Sequence, residues 1–243
     1  MSSLEFRIDG AVINRFPDLR VFGLRVHAAD PAAIAARLPG LQAQVTAASE
    51  KLADVEPITA LEAVSRWRTA YGSLGVKPSK FPSSIEALLR RARKGQAAAT
   101  GIPLVDLYNA LSILNRVPMG AYDVSKLDAA PIVLREADVE DDTFTPLGGS
   151  SDSFPLNPAL VVHAQGNRIL CWGFNTRDSA HSAVDEGSAH VVFFSEATDA
   201  GAAEDSRAAL ETLAELVQKA GGTSGAVVCL GAEAPSATLP APT

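Results

Sequence analysis

The sequence predicts one globular domain, residues 1–231, built from both helices and strands. Three observations carry this. An apolar content of 47% against 20% charged residues over 243 positions is enough to fill one sizeable core. Strand-like runs stand near the N-terminus and through the second half, and a series of capped or amphipathic helical segments lies between them.

Over residues 5–27, Phe6, Ile8 and Val12 followed by LRVFGLRVHA, broken at Asp9-Gly10 and Pro17-Asp18, predict a hairpin or meander. Asp30 then offers an N-cap and Pro31 a first helical residue, so a short helix runs to about residue 38, where Pro39-Gly40 stops it. A second helix is expected over 41–52. In a third, Thr59 and Glu62 have capping-box spacing, and the helix passes through Trp67 and Tyr71 to end near Gly72. Pro78 and Pro82 disfavour helical geometry before them, so GVKPSKFP is expected to be an ordered, extended connector.

Ser83 and Glu86 form another capping box, opening the helix SIEALLRRARK. GQAAATG is a small-residue loop of a kind that tolerates motion, and Ile102-Pro103 starts the next helix. There Leu104, Leu107, Tyr108, Leu111 and Leu114 make one stripe, with Asp106, Asn109 and Ser112 off it. Val105 and Ile113 flank Asn109, whose hydrogen bonds must then be met by protein, water or ligand. Strands are expected after Pro118 and over 131–135, 159–164, 168–174, 190–194 and 226–230, with a helix over 204–219. The tail, residues 232–243, is low in complexity and is expected to be disordered.

The net charge of −7 argues against indiscriminate nucleic-acid coating, yet its distribution is uneven. Residues 66–94 hold eight basic side chains (Arg66, Arg68, Lys77, Lys80, Arg90, Arg91, Arg93 and Lys94) and one acid, Glu86, so the remainder carries −14. A basic face on an acidic body suits a polyanion held in one orientation. The plainer reading is a solvated face whose last cations complement a helix dipole. The charges Glu5, Arg7 and Asp9 rule out a signal-peptide core, and no apolar run approaches spanning length, so a cytoplasmic, soluble protein with no membrane partner is expected.

Cys171 and Cys229 are far apart, which fits a reducing compartment better than a disulfide framework. There is no dinucleotide or phosphate-binding glycine loop, no paired CxxC, no HExxH and no GxSxG, so no nucleotide cofactor and no metal are expected. The four histidines (His27, His163, His181 and His190) share no ligand spacing, Cys171 beside Trp172 reads as a buried, inert thiol, and the acids of 136–142 read as a solvated loop. One polar knot remains, Asn175, Thr176, Arg177, Asp178, Ser179, His181 and Ser182, directly after the strand ILCWGF. It is either a turn bonded to its own backbone or one side of a pocket.

PSKFPSSIEALLRR, IPLVDLYNALSILNRVPMGAYD, LREA, FTPLGG and NTRDS follow one another in order. Over residues 67–196 they resemble the B3/B4 editing (tRNA-binding) domain of the bacterial phenylalanyl-tRNA synthetase beta subunit, in freestanding form. The resemblance implies an α+β fold with mixed sheets forming a sandwich-like core of unusual topology, flanked by helices. It implies hydrolysis of the ester of a misacylated tRNA, with the aminoacylated 3′ end as partner. Asn109 falls on the family's pocket asparagine, Tyr108 where threonine is usual, and Gly173 near the glycine-rich pocket strand. Gly120 stands where a histidine is common, and the family's tyrosine-reading glutamate is expected to be replaced around Phe194, so tyrosine specificity is not inherited.

An aminoacyl ester is already activated, so a positioned water and oxyanion donors suffice for its hydrolysis. On this reading Asn109, Gly120, Gly173, Asn175 and Ser179 are the catalytic candidates. Tyr108, Tyr122, Arg177 and Asp178 bind substrate, and Arg68, Lys77, Lys80, Ser84, Arg90, Arg91, Arg93 and Lys94 hold RNA. The alternatives are a non-catalytic RNA-binding module with a vestigial pocket, and a small-molecule amino-acid binder or hydrolase. The sequence leaves oligomeric state open.

Overall fold

The computed structural model describes residues 4–28, 30–96 and 99–243. The chain opens with β1 (Leu4–Ile8), α1 (Gly10–Arg15) and β2 (Arg20–His27), then α2 (Pro31–Ala35), α3 (Leu38–Ala53), α4 (Glu62–Ser73), α5 (Ser84–Arg93) and α6 (Pro103–Asn115). Six strands follow: β3 (Gly120–Asp123), β4 (Ile132–Glu136), β5 (Val161–Gln165), β6 (Arg168–Trp172), β7 (Arg177–Asp178) and β8 (His190–Ala197). The last elements are α7 (Ala200–Lys219), β9 (Thr223–Ser224), β10 (Val228–Leu230) and β11 (Ser236–Leu239).

These strands make two sheets. The first has the order β11-β1-β4-β5-β6-β7 and is mixed, since β1 and β4 run parallel; the second, β10-β2-β8-β3, is antiparallel, with β9 added beside β2. They stack face to face. Phe6 of β1 meets Phe194 of β8 with ring centroids 4.9 Å apart, and His163 of β5 meets Tyr122 of β3 at 6.1 Å. Period two along β8 sends Phe193 the other way, against Tyr108 of α6 at 5.9 Å, and α7 packs on β2 and β8 from that side. The result is the α+β, sandwich-like architecture expected, with α3, α5 and α6 packed on one another beside it.

The expected N-terminal hairpin does not form. Asp9 caps α1, its carboxylate accepting from the Ala11 amide at 2.8 Å, and the helix sends β2 into the other sheet. Pro39 and Gly40 lie in the first turn of α3, where a missing N–H costs nothing, so they open a helix as well as separating two. Thr59 sits in a 3₁₀ turn, Ile58–Ala60, and Leu61 takes the N-cap position of α4 without a side-chain bond. The connector before α5 is curled: the Lys80 and Phe81 amides both donate to the Lys77 carbonyl at 3.0 Å.

The tail is ordered over Ser236–Leu239, where it pairs with β1; Leu239 is buried, and the open edge of β1 prevails over local composition. The small-residue loop expected at GQAAATG falls partly on Ala97 and Ala98, which lie outside the described residues. Among the described residues no helix is long and apolar enough to cross a membrane.

Candidate functional site

Register builds the floor of the site. Pairing places Ile8, Leu134, His163, Cys171 and Asp178 in one row across five strands of the first sheet. Laterally paired residues share a face, so the row passes from apolar to ionisable toward β7. From the facing sheet comes Glu196, two residues beyond Phe194 on β8 and therefore on the same side of the strand. It is buried, with Oε1 3.1 Å from His163 Nε2 and Oε2 accepting from Asn175 Nδ2 at 3.3 Å.

Asn175 is held by a strained turn. After β6 the backbone is left-handed at both Gly173 (φ 64°) and Phe174 (φ 59°), a conformation uncommon for a bulky residue. Phe174 is fixed there edge-on to Phe16 at 5.3 Å and Trp67 at 5.5 Å. The buried Tyr71 hydroxyl lies 2.6 Å from the Gly173 carbonyl and 3.0 Å from Asn175 Oδ1, and accepts from Thr176 Oγ1 at 3.0 Å. The Ser84 amide at the start of α5 donates to the Asn175 carbonyl at 3.1 Å. One asparagine thus joins α4, α5 and both sheets.

These groups border a cavity of about 350 Å³ between the β6–β7 edge, β3, β8, α5 and α6. Tyr108, Asn109, Gly120, Tyr122, Asn175, Arg177 and Asp178 all line it, from three separate stretches of sequence. Burial pushes the Asp178 carboxyl up to about 6, against the opposing pull of a hydrogen bond with Cys171. Burial also raises the Tyr108 and Tyr122 hydroxyls, which stay protonated donors, and lifts the Cys171 thiol well above its ordinary range, so that sulfur is no nucleophile. Where a side chain would begin at Gly120, the nearest atom is Asp178 Oδ1 at 3.9 Å. Among the described residues no group of His, Cys, Asp or Glu is placed to hold a metal ion.

The model of the B3/4 domain family matches residues 66–221, well over half of the chain. The chain belongs to that family. It is accordingly a homologue of the B3/B4 domain of the phenylalanyl-tRNA synthetase beta subunit, from that subunit's editing and tRNA-binding region. A comparison with curated proteins found no match.

Two catalytic candidates lie outside the cavity of this B3/4 domain. Gly173 contributes its carbonyl to Tyr71 from behind the turn. Ser179 is buried, donating to the Thr145 carbonyl at 3.2 Å and accepting from the His181 amide. The basic segment divides as well. Buried Glu86 takes a two-pronged grip from Arg68, with both N···O distances 3.0 Å, and a further bond from Arg90 at 2.6 Å. Arg93 donates to the Val55 carbonyl at 2.9 Å, while Arg66 pairs with Glu62 and Asp199. Those four arginines are thereby tied into the protein, although Arg90 stays exposed and shares the outward basic face with Lys77, Lys80, Arg91 and Lys94. Ser84 lines the cavity, its hydroxyl buried and unbonded within the protein.

Sequence reasoning missed Glu196 altogether. It lies two residues beyond Phe194 on the same face of the strand and lines the cavity, and alternation along HVVFFSEA is the signal that points to it. Arg91, read only as an RNA contact, also lines the cavity.

Proposed function

We propose that this B3/4 domain is a deacylase that hydrolyses the ester of a misacylated tRNA. The reading rests on the convergence of Asn109, Gly120, Tyr122, Asn175 and Asp178, with buried Glu196, on one cavity beside an exposed basic face. The acyl group enters the cavity, where Tyr108 and Tyr122 flank it and the Asn175–Glu196 pair receives its donor groups. A water molecule attacks the ester carbonyl carbon and gives its proton to Asp178, whose raised affinity suits a base working near neutrality. The Asn109 amide stabilises the developing oxyanion, the carbon–oxygen bond breaks, and the released ribose oxygen takes up a proton. Lys77, Lys80 and Lys94 attract the phosphates of the acceptor strand.

The test is release of amino acid from a panel of mischarged tRNAs by the wild type and by Asn109→Ala. Turnover of at least one member, falling about 100-fold in the variant as for loss of one oxyanion donor, is the expected result. Binding of tRNA without turnover of any member would overturn the enzyme reading in favour of an RNA-binding module.

A further inference from the structure

β7 turns two neighbouring side chains to opposite faces of the first sheet, since successive residues of a strand alternate. Asp178 stands opposite Cys171 and faces the cavity with it, whereas Arg177 stands opposite Trp172, which is buried on the far face. Arg177 borders the cavity, yet its guanidinium lies on an aromatic cluster, with Cζ 5.5 Å from the centre of the Phe154 ring. Phe154 packs against Trp172 at 5.5 Å and against Phe81 at 5.8 Å, and Phe81 packs on Trp172 at 4.7 Å. The curl at Lys77 that holds Phe81 also brings Lys80 over it, with Nζ 5.1 Å from the ring centre.

We propose that this surface, Lys80 on Phe81 beside Arg177 on Phe154, is a stacking platform for unpaired nucleotides of the RNA. The proposal deepens the reading above and rests on its RNA part.

Both phenyl rings are half-buried and both cations are exposed. Unlike Arg66, Arg68 and Arg90, neither cation lies within ion-pair distance of a carboxylate among the described residues. Leu147 borders the same strand as an exposed apolar side chain, its amide donating to the Asp178 carbonyl at 2.9 Å. Unpaired charge and apolar surface left together in water suit a partner that carries negative charge and flat faces. An unpaired nucleic-acid strand alternates the two: phosphates for the ammonium and guanidinium, base faces for the rings and the guanidinium plane. A duplex hides its base faces, and an acidic peptide offers charge without a run of flat ones. The position fits as well. Arg177 and Asp178 are consecutive in the last strand of the first sheet, so an RNA strand lying on the platform has only β7 to cross to bring its end to the cavity.

The experiment measures fluorescence anisotropy of a labelled oligocytidine RNA and of a blunt-ended RNA duplex with the wild type, Arg177→Lys and Phe81→Leu. The wild type is expected to bind the single strand more tightly than the duplex. Arg177→Lys keeps the charge and loses the flat guanidinium, so it is expected to weaken single-strand binding about tenfold, the scale of one stacked base, with the salt slope unchanged. Phe81→Leu keeps apolar bulk against Trp172 and is expected to act in the same direction. Should it fail to fold, the exposed Arg177→Lys carries the test. A wild type that binds the duplex at least as tightly, or binds neither RNA, would overturn the platform, as would variants that bind the single strand like the wild type. In each case hydrolysis of mischarged tRNA by the wild type decides the deacylase reading separately.

Discussion

Replacing Asp178 with asparagine separates what the site needs from what the fold prefers. Burial raises this carboxyl from its ordinary 3.8 to about 6, so the folded protein holds the proton more tightly than the unfolded chain does. Between those two values the folded state binds more protons, and stability therefore falls as pH rises through the window. At about 1.4 kcal/mol per tenfold change in proton affinity, the full effect is about 3 kcal/mol. That figure is a ceiling, because water in the cavity solvates part of the charge. Asp178→Asn has no charge to bury. It is expected to match the wild type in urea unfolding near pH 4 and to exceed it by up to about 3 kcal/mol near pH 8. The same variant is expected to lose deacylation, since the amide accepts no proton from water. A stability difference that stays constant across the window would refute the reasoning, because it would mean Asp178 titrates alike in both states.

Glu86→Gln removes the charge on which Arg68 and Arg90 converge, and is expected to lower stability by about 2 kcal/mol in thermal or urea unfolding, the scale of hydrogen bonds to a charged group. Both arginines keep some solvent contact, which limits the loss. Lys77→Glu with Lys80→Glu is expected to weaken tRNA binding and to shallow the slope of log affinity against log salt by about 2, with stability unchanged. An unaltered salt slope would show that Lys77 and Lys80 make no phosphate contact.

Local signals were legible where the chemistry is local. Ser83 does cap α5, its hydroxyl accepting from the Glu86 amide, and Leu104, Leu107 and Leu111 of the α6 stripe are buried, although Tyr108 and Leu114 are only half-buried and Ser112, set off the stripe, is buried with Ile113. The reading failed where one motif admits two structures: Asp9-Gly10 serves equally as a turn and as a helix cap, and only the demand of two sheets for β1 and β2 decides between them. Glu86 shows a deeper limit. Its place in a capping box is visible three residues away, whereas its burial beneath Arg68 depends on how α4 crosses α5. The site follows the same division. Asn109 stands out as a polar group between apolar neighbours and Asp178 as part of a polar knot after a hydrophobic strand, but the floor of the cavity depends on Tyr71 meeting Asn175 and on Glu196 facing His163, contacts set by sheet register and sandwich packing.

The pairing of β11 with β1 bears on how the protein is made. Leu4 lies opposite Leu239, and the Leu239 side chain occupies the space where any side chain at Gly23 would have to begin, its Cδ2 only 2.5 Å from that point. During translation, then, β1 emerges first yet keeps one bare edge until residue 239 has cleared the ribosome, and the slot at Gly23 stays empty as long. An unpaired strand edge held open over that interval invites pairing with other chains. Nascent chains arrested before that point are the ones in which a chaperone would find the most to hold.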